Sequence, residues 1–186
     1  DMTLEDFKKI IDQLEGVIRL HMHGIGEPLL NKDFISMVAY AKSKNIQVCF
    51  NDNMSLLDRK KAEELINLGL DELRMSLDAS DITTYREIRK SNLYDTVIKN
   101  IKDMANAKSE LKSALPVLKI VVVGMRKNLK QIPSIVETAY NLGIGEVVVQ
   151  SMQTWSRKEL VEYADKETAI FAEDIEKVKA VFQEAK

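Results

Sequence analysis

Short runs rich in β-branched residues alternate along this chain with longer stretches in which apolar positions recur every three or four residues. The runs Val17 to Met22, Ile46 to Phe50, Glu72 to Leu77, Val117 to Val123 and Glu146 to Gln150 have the length and composition of buried strands. The intervening spacing is that of helices with one buried face. Leu4, Phe7, Ile11 and Leu14 line such a face, opened by Thr3 with an acid, Asp6, three residues on. Phe34, Met37, Val38 and Ala41 line the next, with Asn31 as its expected N-cap. Asp58 opens a third helix that stops at Gly69. Ile82, Tyr85 and Ile88 predict a short helix, and Val97, Ile98, Ile101 and Met104 a longer one. Ile132, Ile135, Val136 and Ala139 form another before Gly143. A polar stretch from Ser151 to Tyr163 carries Trp155. Ile170, Phe171, Ile175, Val178, Val181 and Phe182 then predict a final amphipathic helix.

Strand and helix in alternation predict an α/β fold, a partial (βα) TIM-like barrel with parallel strands. About five strands are visible, whereas a closed eight-stranded barrel takes about 250 residues. No Pro/Gly/Ser linker interrupts the 186 residues, so a single domain is expected. Its first element is a surface helix with no strand ahead of it, which predicts a barrel whose first strand is missing and a chain that is a segment of a longer one. One internal echo supports a repeating unit: Asn67-Leu68-Gly69-Leu70-Asp71-Glu72-Leu73 resembles Asn141-Leu142-Gly143-Ile144-Gly145-Glu146-Val147. Each reads as a helix end, a glycine stop and a strand start. The echo places Ser76 and Gln150 at equivalent positions near strand carboxyl ends, where parallel α/β folds bind ligands.

Composition narrows the classes. With 45% hydrophobic and 30% charged residues the chain is of ordinary globular type, and no apolar run has the length of a spanning helix. A net charge of -2 gives no electrostatic reason to expect nucleic acid, and a cytoplasmic location is expected. The single cysteine, Cys49, excludes an internal disulfide framework and a self-contained multi-cysteine metal site. Its ordinary role on a strand is that of a small buried hydrophobe.

Four polar features fall at strand ends: Gly24-Ile25-Gly26-Glu27-Pro28, Asn51-Asp52-Asn53, Ser76-Leu77-Asp78 and Gln150-Ser151. Singly, each has an ordinary reading as turn or cap chemistry. On one rim of a parallel sheet they would form a polar cleft. The first concentrates backbone permissiveness around a carboxylate, which suits a cation. His21-Met22-His23 sets two imidazoles on one face of a strand, with Asp78 as a further acid, the beginnings of a divalent-metal site. Local packing and hydrogen bonding is the commoner use of such histidines.

In order and spacing these features resemble the radical S-adenosylmethionine (radical SAM) enzyme family, from about Leu20 into the second half of the chain. Gly24 to Pro28, followed by Leu29-Leu30-Asn31, is similar to the family's glycine-glycine-glutamate-proline motif. Met75-Ser76-Leu77-Asp78 is similar to its strand-end motif, and Tyr85-Arg86-Glu87-Ile88-Arg89 to its tyrosine and arginine. The resemblance implies that Gly24, Ile25, Gly26, Glu27 and Pro28 receive the amino end of S-adenosylmethionine, with Ser76 at its ribose or methionyl end, Asp78 in the same set, and Arg89 at its carboxylate. Gly124 resembles the position against the adenosine, and Asn53 falls where the family has Thr-Asn-Gly.

Two departures stand out. Met54 occupies the place of the small third residue of that triplet, so a different local backbone is expected there. The three-cysteine loop that ligates the family's [4Fe-4S] cluster is absent, and is expected upstream of Asp1. The resemblance therefore implies a radical SAM core that binds S-adenosylmethionine beside a [4Fe-4S] cluster, acts on a small-molecule or peptide substrate, and takes electrons from a donor such as a flavodoxin or ferredoxin. This segment alone is expected to be inactive. Two rival readings are a non-catalytic binding or interaction module on the same scaffold and a metal-dependent barrel hydrolase using His21 and His23.

Overall fold

A computed structural model describes residues 1–152 and 175–185. Trp155, most of the polar stretch around it, and Ile170 and Phe171 lie outside the described residues. Five strands form one sheet in the order β1-β2-β3-β4-β5: β1 (Arg19–Met22), β2 (Gln47–Asp52), β3 (Glu72–Ser76), β4 (Val117–Gly124) and β5 (Glu146–Ser151). β1 pairs with β2 and β2 with β3 in parallel, with Met22 opposite Phe50 and Asp52 opposite Met75. Parallel neighbours need a crossover, and helices provide it: α1 (Leu4–Gln13) precedes β1, and α2 (Phe34–Ser43), α3 (Arg59–Asn67), α4 (Ile82–Arg89) with α5 (Tyr94–Glu110), and α6 (Ile132–Asn141) join successive strands. The α/β partial barrel predicted from the alternation is the architecture observed. Among the described residues no helix is long and apolar enough to cross a membrane.

The chain divides into two compact units, Asp1–Ser76 with Thr96–Lys119, and Leu77–Asp95 with Ile120–Lys186. In the first, side chains alternate across each strand. Val48 and Phe50 of β2 and Leu73 and Met75 of β3 are fully buried toward the helices, with Phe34 of α2 meeting Phe50 edge-on at 4.9 Å between ring centroids. The opposite face is polar. There Glu72 takes ion pairs from Arg19 (2.9 Å), Arg74 (2.6 Å) and Lys119 (3.4 Å), one from each of three strands. In the second unit Ile120, Val122, Ile132, Ile135 and Ala139 form the buried face between β4 and α6.

The sequence echo corresponds to one repeated device. Gly69 and Gly143 stand in the left-handed region (φ 72 and 68°) just after α3 and α6. Leu70 N–H then donates to Leu65 O (3.1 Å) and Ile144 N–H to Ala139 O (2.9 Å), so the same six-residue closure ends both helices. Two local expectations fail. Leu14 is exposed because the helix has already ended, with Leu14 N–H bonded to Ile11 O at 3.2 Å. Asn31 does not cap α2; its Oδ1 accepts from Asp33 N–H (2.9 Å) and its Nδ2 donates to Met2 O (2.8 Å), tying the chain's start to the turn before α2.

Candidate functional site

In the first unit β1, β2 and β3 end on the same rim, so the loop Gly24–Pro28, the Asp52-Asn53 pair and Ser76 share one edge of the sheet. Gly26 has φ 119°, which only glycine adopts readily. A Cβ on Gly24 or Gly26 would meet no atom within 4 Å, so packing requires neither glycine and the main chain there stays uncovered. Pro28 starts a single 3₁₀ turn, Pro28–Leu30, where its fixed φ and missing N–H are tolerated. Leu30 N–H closes that turn on Glu27 O at 3.1 Å. A cavity of about 590 Å³ borders the loop, lined by His23, Gly24 and Glu27 and by apolar Phe7, Ile11 and Phe34.

Glu27 points inward from this loop to Asp52, the last residue of β2. Asp52 lies on the same strand face as Val48 and Phe50 and is 1% exposed, a carboxyl group at the end of an apolar row. Each acid is anchored through one oxygen: Glu27 Oε2 accepts from Asn53 N–H (3.2 Å) and Asp52 Oδ1 from Met54 N–H (2.6 Å). The other oxygen of each, Glu27 Oε1 and Asp52 Oδ2, is buried without a hydrogen-bond donor. Two buried acceptors facing one another are costly unless something donates between them. Burial first, and Asp52 second, push the Glu27 carboxyl up to about 8, and burial likewise raises Asp52.

Met54 explains how a bulky residue follows Asn53. It adopts φ 62°, the left-handed conformation that glycine takes most readily. Its N–H is held by Asp52 and its carbonyl by buried Asn100 Nδ2 (2.8 Å), while its side chain is fully buried. Asn53 serves Glu27 through its backbone; its own Oδ1 closes a turn onto Ser55 N–H at 2.8 Å. Ser76 ends β3 half-buried, one residue beyond the partner of Asp52.

The two histidines have local partners. Their rings lie 4.2 Å apart, and His21 Nε2 is 3.0 Å from Asn51 Oδ1 on the neighbouring strand. Burial lowers the His21 pKa, favouring the neutral ring. Among the described residues no group of three or more His, Cys, Asp or Glu is placed to hold a metal ion. Cys49 is buried, with Sγ donating to Leu20 O at 3.6 Å.

The second unit gathers the remaining predicted residues. Asp78 is 2% exposed; it takes Arg89 Nε at 2.6 Å and Val123 N–H at 2.7 Å. Gly124 ends β4 beside Val123. Fully buried Asn128 completes the knot: Nδ2 donates to Asp78 O (2.8 Å) and Val123 O (2.9 Å), and Oδ1 accepts from Met125 N–H (2.8 Å). Asp78 therefore fixes the arginine and the strand end together.

Asn128 is the residue that motif reading passed over, while Asp52 was named there only within a polar strand-end triplet, with no role of its own. Asp52 was signalled by period: Val48, Phe50, Asp52 and Met54 form an every-second-residue row, and one of the four is an acid. Asn128 had no comparable signal, since an asparagine after a strand reads as ordinary turn chemistry.

A family model described as the radical SAM superfamily matches residues 1–139. The chain is 29% identical over 159 residues to the tungsten-containing aldehyde ferredoxin oxidoreductase cofactor-modifying protein of Pyrococcus furiosus, covering 82% of this chain and 44% of that protein. It is 27% identical over 161 residues to the PqqA peptide cyclase of Bradyrhizobium diazoefficiens, covering 82% of this chain and 39% of that one. Among solved structures it is similar in fold to Streptococcus suis SuiB, with a TM-score of 0.76 at 17% identity, covering 98% of this chain and 40% of that one. The form of SuiB bound to S-adenosylmethionine matches at a TM-score of 0.70 and 20% identity, covering 88% of this chain and 38% of that one. The chain spans less than half the length of these two curated relatives.

Proposed function

This chain belongs to the radical SAM superfamily, whose members use S-adenosylmethionine and a [4Fe-4S] cluster, and on that premise we propose that it is the S-adenosylmethionine-binding core of a longer radical SAM enzyme. The observation that carries the reading is the pair of buried, donor-less oxygens, Glu27 Oε1 and Asp52 Oδ2, at the end of the glycine loop. An amino group is a compact set of N–H donors, which is what these two acceptors lack.

Glu27, with the main-chain carbonyls of Gly24, Ile25 and Gly26, holds the amino group of S-adenosylmethionine. Ser76, on the same rim, takes its ribose or methionyl end. The family resemblance further gives Arg89, which Asp78 orients within the second unit, a carboxylate-binding role, and Gly124 a role toward the adenosine. The chain does not itself fit a cluster: Cys49 is its one cysteine and is committed to a buried strand position, so the cluster's thiolate ligands come from elsewhere in the longer protein. When bound, S-adenosylmethionine beside a reduced cluster supplies a 5'-deoxyadenosyl radical that removes hydrogen from a substrate. The residues described here bind and orient it; they are not radical carriers. The substrate is a small molecule or a peptide, the electron donor a flavodoxin- or ferredoxin-like protein, and the location cytoplasmic.

The test is anaerobic isolation of the full-length protein, analysis of its iron and sulfide, and chromatography for 5'-deoxyadenosine after addition of dithionite and S-adenosylmethionine. Bound iron and sulfide with 5'-deoxyadenosine formation are expected, and formation should fall at least tenfold in Glu27→Gln. A full-length protein with neither cluster nor cleavage would overturn the proposal and leave the non-catalytic reading.

A further inference from the structure

We propose that Asp52 is a second carboxylate of the amino-group cradle, sharing one proton with Glu27 in the unliganded protein and releasing that proton to solvent when the amino group of S-adenosylmethionine enters. The inference rests on the assignment of Glu27 made above and adds to it a residue and a proton.

Asp52 is 1% exposed, and its Oδ2 has no donor, as Glu27 Oε1 has none. Both carboxyl groups are pinned by backbone N–H groups on their other oxygens, Asn53 on Glu27 and Met54 on Asp52, so neither swings out to water without losing that bond. One proton between the two free oxygens satisfies both at once, since one carboxyl then donates and the other accepts. Two ionised carboxylates at this depth would repel one another in a poorly solvated place, the arrangement that makes such pairs titrate as a unit. The raised position of both acids agrees with this.

An incoming amino group brings at least two N–H donors to the same two oxygens. With both oxygens accepting from nitrogen, the N–H donors stabilise the two ionised carboxylates in place of the shared proton, which passes to solvent. The charged groups acting on the pair are few. From α3, Lys61 acts on Asp52, and its Nζ is engaged at 2.9 Å by Asp58; from the loop and strand, the pair faces itself. Gly24 and Gly26 contribute no charge. The proton is therefore governed chiefly by whether an N–H donor is present.

The measurement is calorimetric titration of the full-length, cluster-loaded protein with S-adenosylmethionine, run at near-neutral pH in buffers of different ionisation heat. Wild type is expected to release about one proton more per molecule bound than Asp52→Asn, whose amide donates to Glu27 and leaves it ionised beforehand. Affinity of the wild type should also rise more steeply with pH than that of Asp52→Asn, by up to roughly tenfold per unit below about pH 8. Equal proton release in the two proteins would overturn the inference. Infrared difference spectra of wild type alone guard against a poorly folded variant: a protonated-carboxyl C=O band present at neutral pH should vanish on binding, and its absence from the unliganded protein would also overturn the inference. If Glu27→Gln binds as tightly as wild type, the assignment of the cradle itself fails. If Glu27→Gln weakens binding but no additional proton is released, only the role of Asp52 fails.

Discussion

Replacing Met54 with glycine sets two effects against each other at the residue that fixes the cradle's backbone. At φ 62° a Cβ-bearing residue is strained, by roughly 1–2 kcal/mol, and glycine removes that strain. The Met54 side chain, however, is fully buried. Truncating a buried methionine costs about 2–5 kcal/mol, and the freedom glycine gives the unfolded chain costs about 0.5–1 kcal/mol more. The larger numbers win, so Met54→Gly should be destabilised by roughly 2–4 kcal/mol. Met54→Ala separates the two contributions, because it loses the same packing while keeping a Cβ in the left-handed region. It should be less stable than Met54→Gly by about 1 kcal/mol, the reverse of their order in a helix or strand. Urea unfolding followed by circular dichroism measures both, with the midpoint falling and the slope unchanged. A glycine variant as stable as wild type would refute the claim that packing holds this residue in place, and an alanine variant more stable than the glycine one would refute the left-handed backbone.

Asp78→Ala leaves Arg89 and Val123 N–H without their buried acceptor and should cost about 3–5 kcal/mol, read as a lowered melting temperature. Asn100→Ala strips the donor from Met54 O and should cost about 1–3 kcal/mol by urea unfolding. The cradle acids give a stability profile of known sign: Glu27 binds its proton more tightly folded, at about 8, than unfolded in the ordinary carboxylate range. Its contribution is therefore fully present below the unfolded value and lost as pH rises toward about 8; relative to Glu27→Gln, the wild-type melting temperature should decline across that window. The 186-residue chain by itself should bind S-adenosylmethionine weakly or not at all, and tight calorimetric binding would contradict that expectation.

The fold was legible because its elements announce themselves twice, by periodicity and by their stops. Gly69 and Gly143 mark where α3 and α6 close, and Asp58 caps α3 through Lys61 N–H at 2.9 Å. Leu14 and Asn31 were misplaced for different local reasons. Periodicity continues past the last hydrogen-bonded turn, and an asparagine near a helix start bonds whichever N–H the turn presents. In the site, motif residues were readable as types, but their partnerships were not. That Asp78 holds Arg89, or that Met54 keeps a conformation suited to glycine, depends on backbone groups brought in from distant positions such as Val123 and Asn100. Asp52 was visible as an acid in an apolar row, yet its pairing with Glu27 required the turn of the Gly24–Pro28 loop.

The central claim is that Glu27 receives an amino group. The most direct measurement is a binding cycle on the full-length, cluster-loaded protein, comparing wild type and Glu27→Gln with S-adenosylmethionine and with its analogue lacking the amino group. Hydrogen bonds to a charged group contribute about 1.5–3 kcal/mol, so Glu27→Gln should weaken S-adenosylmethionine binding roughly 10- to 100-fold. The same substitution should leave binding of the deaminated analogue unchanged. Equal weakening for both ligands would contradict the assignment.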